Sequence, residues 1–122
     1  MPHEPIEPAE VTRRFNDVFQ RHDPTALTDL VGADCVIENT QPAPNGSRHV
    51  GQDACVALWT SIATNEGIWF DIEDVIVTGE RAIIFWRLYW GEGDACSVRG
   101  VNLLRVVGGK IVEARGYVKG AS

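Results

Sequence analysis

The chain has 122 residues, enough for one domain with one core and too few for two. Its hydrophobic share of 44% and charged share of 23% are those of a globular protein. A net charge of −6, with the basic residues scattered, argues against nucleic acid or an anionic membrane as partner, since both reward a basic patch.

Residues 1–8 are rich in Pro and Glu, with no basic or apolar leader-like stretch, which predicts a loosely held tail and a cytoplasmic protein. Over residues 9–22 the apolar positions Val11, Phe15, Val18 and Phe19 fall at helical spacing. Asp23 suits an N-cap and Pro24 a first helical position, so a short second helix runs to about Val31 with Leu27, Leu30 and Val31 inward. Gly32 closes it. Residues 35–40 read as a strand, residues 41–47 as turn chemistry, and residues 48–50 as a short returning strand. A third helix covers residues 52–65, with Val56, Trp59, Ile62 and Ala63 on its core face. The period then changes from helical to alternating. Residues 69–78, 81–90, 95–107 and 110–119 are four strands joined by Gly-rich hairpin connections. The result is an α+β domain over the whole chain, with three N-terminal helices on one face of a strongly curved, mixed, mainly antiparallel sheet.

The strand over residues 81–90 is the centre of the pattern. Ile83, Phe85, Arg87 and Tyr89 share one face; Ile84, Trp86, Leu88 and Trp90 share the other. Both faces are largely apolar, so both need cover. The reading places Arg87 under the helices and Trp86 on the outside. An outer stripe of Trp86, Leu88 and Trp90, extended by Val101 and Leu103, then predicts a homodimer. Hairpin pairing puts Asp71 and Glu73 on the outer face opposite Leu88 and Trp86. It puts Asp74 inside, opposite Phe85, as a candidate carboxylate for Arg87.

With CVIENTQPAPNG after the second helix and RGVNLLRVVGGKIVEARGYVKG at the end, the chain resembles the SnoaL-like family. That family belongs to the cone-shaped folds related to nuclear transport factor 2. The resemblance implies a small-molecule pocket and a choice of chemistries: isomerase, polyketide cyclase, epoxide hydrolase, or plain ligand binding. Where a ketosteroid isomerase carries its tyrosine and two aspartates, this chain has Phe15, Asn39 and Asn102. Against a limonene-type epoxide hydrolase, Asn39 and Arg87 match, while Ile37, Tyr89 and Gly116 replace the tyrosine and the carboxylates. Neither family's acid–base machinery carries over.

What does carry over is a pocket address. Phe15, Phe19, Ile37, Trp59, Phe85, Val98, Gly100, Ala114 and Gly116 are expected to form walls, and Asn39, Asn102, Arg87 and Tyr89 to be its polar groups. Small residues at 100, 114 and 116 leave space. Arg87 either anchors a ligand or pairs with an internal carboxylate. Asn39 and Asn102 either hold a ligand or satisfy one another and the backbone. Tyr89 is a candidate general acid or a hydrogen-bonding core residue, and His49 a candidate base beside the pocket mouth. Glu38 has the parity of the opposite face, and His3 and His22 are expected in solvent. Cys35, Cys55 and Cys96 are odd in number and without metal-type spacing, which predicts free thiols. No cofactor or metal is implied. Two functions remain. One is a cofactor-free enzyme on a mostly apolar carbonyl, enol or epoxide compound; the other is a ligand-binding or assembly module.

Overall fold

A computed structural model describes residues 6–120. Most of the expected tail, and with it His3, lies outside the described residues. The first helix, α1 (Pro8–Gln20), starts on a proline, which has no N–H to leave unpaired, and carries Glu10 in its first turn. Its buried face holds Val11, Thr12, Phe15, Asn16 and Val18. His22 follows in a left-handed conformation, and its Nδ1 lies 2.9 Å from the carbonyl oxygen of Ala63, fastening the end of α1 to the third helix. This corrects the expectation of a solvent-exposed His22: it is half-buried.

Asp23 caps the next turn, accepting from the Thr25 N–H at 3.0 Å. A 3-10 turn (Pro24–Ala26) leads into α2 (Leu27–Leu30). Strand β1 (Val31–Asn39) starts four residues earlier than its sequence pattern suggests, with an irregular register between Val31 and Val36. Then come β2 (Ser47–Val50), α3 (Gln52–Ala63), β3 (Trp69–Thr78), β4 (Arg81–Tyr89), β5 (Ser97–Val107) and β6 (Lys110–Val118).

The six strands form one mixed, unclosed sheet in the order β2-β1-β6-β5-β4-β3. Only β1 and β6 are parallel. Two-residue turns at Gly79-Glu80 and Gly108-Gly109 join the long strands, their glycines in the left-handed region that hairpins need. No helix among the described residues is long and apolar enough to cross a membrane.

All three helices lie on one face of the sheet. The core between them unites Val11, Phe15 and Val18 of α1, Cys55, Trp59 and Ala63 of α3, and the strand residues Ile37, Ala82, Ile84, Trp86, Leu104 and Ala114. Buried side chains on β4 are therefore the even-numbered ones, and this overturns one sequence expectation. Ile84, Trp86 and Leu88 face the helices; Ile83, Phe85, Arg87 and Tyr89 face away. The register leaves no choice. Ile84 pairs with Asn102, Trp86 with Gly100 and Leu88 with Val98. Directly opposed residues share a face, so an inner Asn102 requires an inner Ile84.

Candidate ligand site

The inner face is built of rows that run across the strands. Ile37, Ala114, Leu104 and Ala82 form the packed floor nearest the helices' centre. One row along, Gly116 lies opposite Asn102, and Asn102 opposite Ile84. The next row carries Gly100 opposite Trp86, and Trp86 opposite Ile72. The first row alternates large and small side chains, and Gly116 opens the second at its β6 end.

Between this face and helices α1 and α3 lies a cavity of about 420 Å³, within the ordinary range for a small-molecule site. Five aromatic rings arch around it in sequence: Trp59 meets Phe15 at 4.7 Å, Phe15 meets Phe19 at 4.9 Å, Phe19 meets Phe70 at 5.9 Å, and Phe70 meets Trp86 at 5.6 Å. Each contact is edge-to-face, the arrangement ring quadrupoles favour. Ile37, Ile62, Ile68, Ile72, Ile84 and Leu88 supply aliphatic wall.

The polar groups of the cavity are amides and a hydroxyl. Asn16 comes from α1, Asn39 and Thr40 from the end of β1, Gln41 from the following turn, Asn65 from the end of α3, and Asn102 from β5. Glu38 also borders the cavity, but its carboxylate belongs to the other side of β1, where it pairs with Arg115 at 3.7 Å. Trp86 Nε1 is sealed without a partner, the one such side-chain atom among the described residues.

Of the residues expected in the pocket, Phe15, Phe19, Ile37, Asn39, Trp59, Asn102, Ala114 and Gly116 line it. Two others share the inner face without reaching the cavity. Val98 packs against the core. At Gly100 an added Cβ would lie 2.5 Å from the Trp86 indole and 2.5 Å from the Tyr117 carbonyl oxygen. Gly100 therefore makes room for Trp86, not for a ligand.

Four expectations are corrected. Phe85 lies on the outer face. Arg87 is there too: its Nε donates to Ser97 Oγ at 3.0 Å, its guanidinium pairs with Asp94, and it sits over the Tyr89 ring at 5.1 Å. Tyr89 stacks on Trp69, with ring centroids 5.5 Å apart, and offers no acid to the cavity. His49 stands opposite Ile37 at the sheet margin, its Nε2 2.9 Å from Ser47 Oγ, outside the cavity wall.

The carboxylates near β4 also shift. A bulge between Ile72 and Asp74 sets Asp71 opposite Arg87, and Asp74 opposite Phe85 as expected but on the outer face. Glu73 receives Arg99 at 2.9 Å.

Asn16 was not foreseen, although the pattern holds the signal. Thr12, Phe15, Asn16 and Phe19 are spaced as one helical face, so a polar residue stands within the apolar stripe of α1. Beneath the cavity, Cys55 Sγ donates to the Cys35 carbonyl at 3.3 Å and seats α3 on β1. Burial first, then the Cys55 thiol beside it, pushes the Cys35 thiol up to about 12, and burial also raises Cys55. All three cysteines are free thiols.

A SnoaL-like domain model matches residues 12–114. The chain belongs to the SnoaL-like family. Its fold is shared by an NTF2-like protein of unknown function from Mesorhizobium loti, solved as a crystal structure: 60% identical, TM-score 0.87, covering 93% of this chain and 91% of that one. Two solved structures of low identity share the fold alone. A proposed ketosteroid isomerase from Kribbella flavida is 17% identical with TM-score 0.77, covering 94% of this chain and 79% of that one. A proposed polyketide cyclase from Sinorhizobium meliloti is 17% identical with TM-score 0.72, covering 91% and 99%. No curated protein matches the chain.

Proposed function

We propose that this SnoaL-like chain binds a small, mainly apolar molecule in the cavity under α1 and α3 and orients it by amide hydrogen bonds. The carrying observation is the wall itself: mostly aromatic and aliphatic, with amides and the Thr40 hydroxyl as its polar groups, its one bordering carboxylate, Glu38, paired with Arg115, and no imidazole or ammonium lining it among the described residues. A general base must reach the proton it takes, directly or through one water. No lining side chain meets that need.

A second reading is an isomerase, cyclase or hydrolase-like enzyme on a carbonyl, enol or epoxide compound. It is favoured by Asn39 and Asn102, fixed donors on adjoining parts of the sheet of the kind that polarise a substrate oxygen. In that reading the substrate or a water supplies the base. Native mass spectrometry of the purified protein tests both. A bound molecule recovered chemically unchanged after prolonged incubation supports the binder; conversion to an isomer, cyclised product or hydrate supports the enzyme. An empty cavity that takes up no apolar probe sinks both.

We also propose a homodimer, through a band that keeps Val101 and Leu103 of the expected stripe but not Trp86 or Leu88. The outer face carries an apolar band of Ile76, Ile83 and Leu103 in one row and Phe85, Val101 and Tyr117 in the next. Ile76 and Tyr117 are 44% and 54% exposed, an arrangement monomers seldom leave wet. Charges of both signs border the band: Asp71 and Asp74 lie at the β3 margin, and Glu38 and Glu113 accompany Arg48 and Arg115 at the β2–β1–β6 side. A two-fold axis along the strands lays the β3 margin of one copy over the β1–β6 side of the other. Trp86 and Leu88 take no part, because they face the cavity.

A further inference from the structure

The strongest unexplained feature of the cavity is its charge. Every polar side chain directed into it is neutral, and those nearest the floor have no protein partner. None of the amide groups of Asn16, Asn39 and Asn102 bonds another protein group among the described residues, yet none is sealed off as Trp86 Nε1 is. They open into the cavity. A buried polar group without a partner costs stability unless water or a ligand satisfies it. Two such half-buried groups on the sheet, Asn39 and Asn102, with the buried Asn16 of α1 across from them, mark the place where a ligand's polar atoms belong.

The centre of that place is Gly116. Asn102 stands directly opposite it on β5, and on its other side β1 ends at Asn39 and bends over it at Thr40. A Cβ on Gly116 would lie 3.2 Å from Asn102 Oδ1 and 2.9 Å from the Thr40 methyl. Any side chain at 116 would press on Thr40 and on the Asn102 amide and narrow the cavity there. The Asn102 amide offers two N–H donors or a carbonyl acceptor depending on how its end is turned, so it can meet a carbonyl oxygen or a hydroxyl equally well. It cannot neutralise a carboxylate or a phosphate. An anion buried here would be desolvated without a cation: no arginine lines the cavity, and Arg115 and Arg87 pair with carboxylates on the opposite face of the sheet.

We propose that the ligand is uncharged and oxygenated, with its carbonyl or hydroxyl oxygen seated over Gly116 between Asn102 and Asn39 and its apolar body against the aromatic arch. This rests on the reading of the cavity as a ligand site. It adds the ligand's charge class and the residues that select it.

The test uses two probes on one ring system. One is 6-propionyl-2-(dimethylamino)naphthalene, a neutral ketone whose emission shifts with polarity and hydrogen bonding. The other is the matching carboxylate, 6-(dimethylamino)-2-naphthoate. The wild-type protein is expected to bind the ketone at least about tenfold more tightly than the carboxylate, the scale of an unpaired charge excluded from a neutral site. Asn102→Leu and Asn39→Leu should each weaken the ketone by about fivefold to tenfold, the loss of one neutral hydrogen bond. Gly116→Val should abolish its binding by filling the gap. Thermal unfolding of each variant confirms the fold, and Asn102→Ala replaces Asn102→Leu if the latter does not fold. Binding of neither probe refutes the cavity as a ligand site altogether. Equal or tighter binding of the carboxylate, or ketone affinity unchanged in both asparagine variants, refutes the neutral-oxygen assignment while leaving the ligand site standing.

Discussion

The two faces of the sheet are made by the same strands and obey opposite chemistry. On the inner face, β4 and β5 present Ile84, Trp86, Leu88 and Asn102 to the cavity, uncharged throughout. One residue along, the outer face is framed by ion pairs: Arg99 with Glu73, Arg105 with Glu80, and Arg81 and Arg115 with Glu113. These pairs are exposed and each contributes little to stability. They keep a partly apolar face soluble at its margins while leaving a band free at its middle. The inner face has helices to cover it and can do without charge. The outer face has none, and its charges pair with one another along its margins. A face that helices cover and a face that they leave open need different borders.

The comparison is broken most severely at Trp86. It is 6% exposed and packs edge-on against Phe70, whereas its near neighbour Trp90 is 51% exposed beyond the end of β4. Trp86→Ala should lower unfolding free energy by about 3–5 kcal/mol, the range for deleting a buried large aromatic side chain. Trp90→Ala should stay within about 0.5 kcal/mol in the monomer. Urea unfolding of both measures the difference. A cost at Trp86 as small as that at Trp90 would put Trp86 on the solvent side of β4.

The next largest effect concerns the outer band. Phe85→Glu combined with Val101→Glu should convert a dimer to a monomer, weakening association by at least about 2 kcal/mol, the scale of a central interface residue. The cavity should keep its ligand affinity. Sedimentation at tens of micromolar protein reads the first, probe titration the second. A wild-type protein that sediments as a monomer excludes the dimer outright.

How much of this was legible in the sequence depends on where polarity marks a face. The helices, the four long strands and two of the three tight connections follow from periodicity and glycine. On β5 and β6 the inner parity is also readable: the outer positions of β5 alternate with Arg99 and Arg105, and Gly116 and Ala114 are small where space is needed. On β4 alternation fails as a guide, because Phe85 and Ile83 are as apolar as Trp86 and Ile84. There, beyond Arg81 at the strand's first position, Arg87 is the one charged residue. Its ordinary place is outside, and that is where it lies; the epoxide-hydrolase resemblance points the other way. The register could have settled the matter, since inner residues on β5 fix those on β4 through the hairpin. The bulge in β3 leaves no mark in the sequence, and it decides the partners of Asp71 and Glu73.

A smaller effect separates the thiols. Burial, and then the neighbouring Cys55, pushes the Cys35 thiol up to about 12. In the unfolded chain it titrates near its ordinary value of about 8.5. The unfolded state therefore gives up this proton first. The contribution to stability is full below about pH 8.5 and is lost as pH rises towards about 12. Between about pH 8 and pH 10.5 the wild type should lose more stability than Cys35→Ala, in which that ionisation is absent. Alkylation of the native protein should also reach half-exposed Cys96 and spare Cys35 and Cys55. Equal pH slopes in the two proteins, or rapid native modification of Cys35, would place this thiol in contact with solvent.

The smallest expected effect is at Arg87, where the assignment of faces can be tested by one side chain. If it faced the cavity, replacing it would either remove a ligand contact or strand a buried carboxylate, and the latter costs about 3–5 kcal/mol. In the structure its carboxylate partner, Asp94, is 94% exposed, so Arg87→Met leaves a charge that water solvates in full. What is lost is the bond to Ser97 Oγ and the contact over Tyr89. Methionine replaces much of the buried stem. The expected cost is about 1 kcal/mol or less, as for other solvent-facing pairs. Affinity for the neutral naphthyl ketone should not change, because the whole thickness of β4 separates Arg87 from Asn102 and Gly116. Urea midpoints and probe titration on this one variant read both quantities. A folded Arg87→Met protein that has lost the ketone would turn β4 over and move the cavity's polar end to an arginine. A stability loss of several kcal/mol with affinity intact would instead bury the Asp94 pair, and with it the border of the outer face.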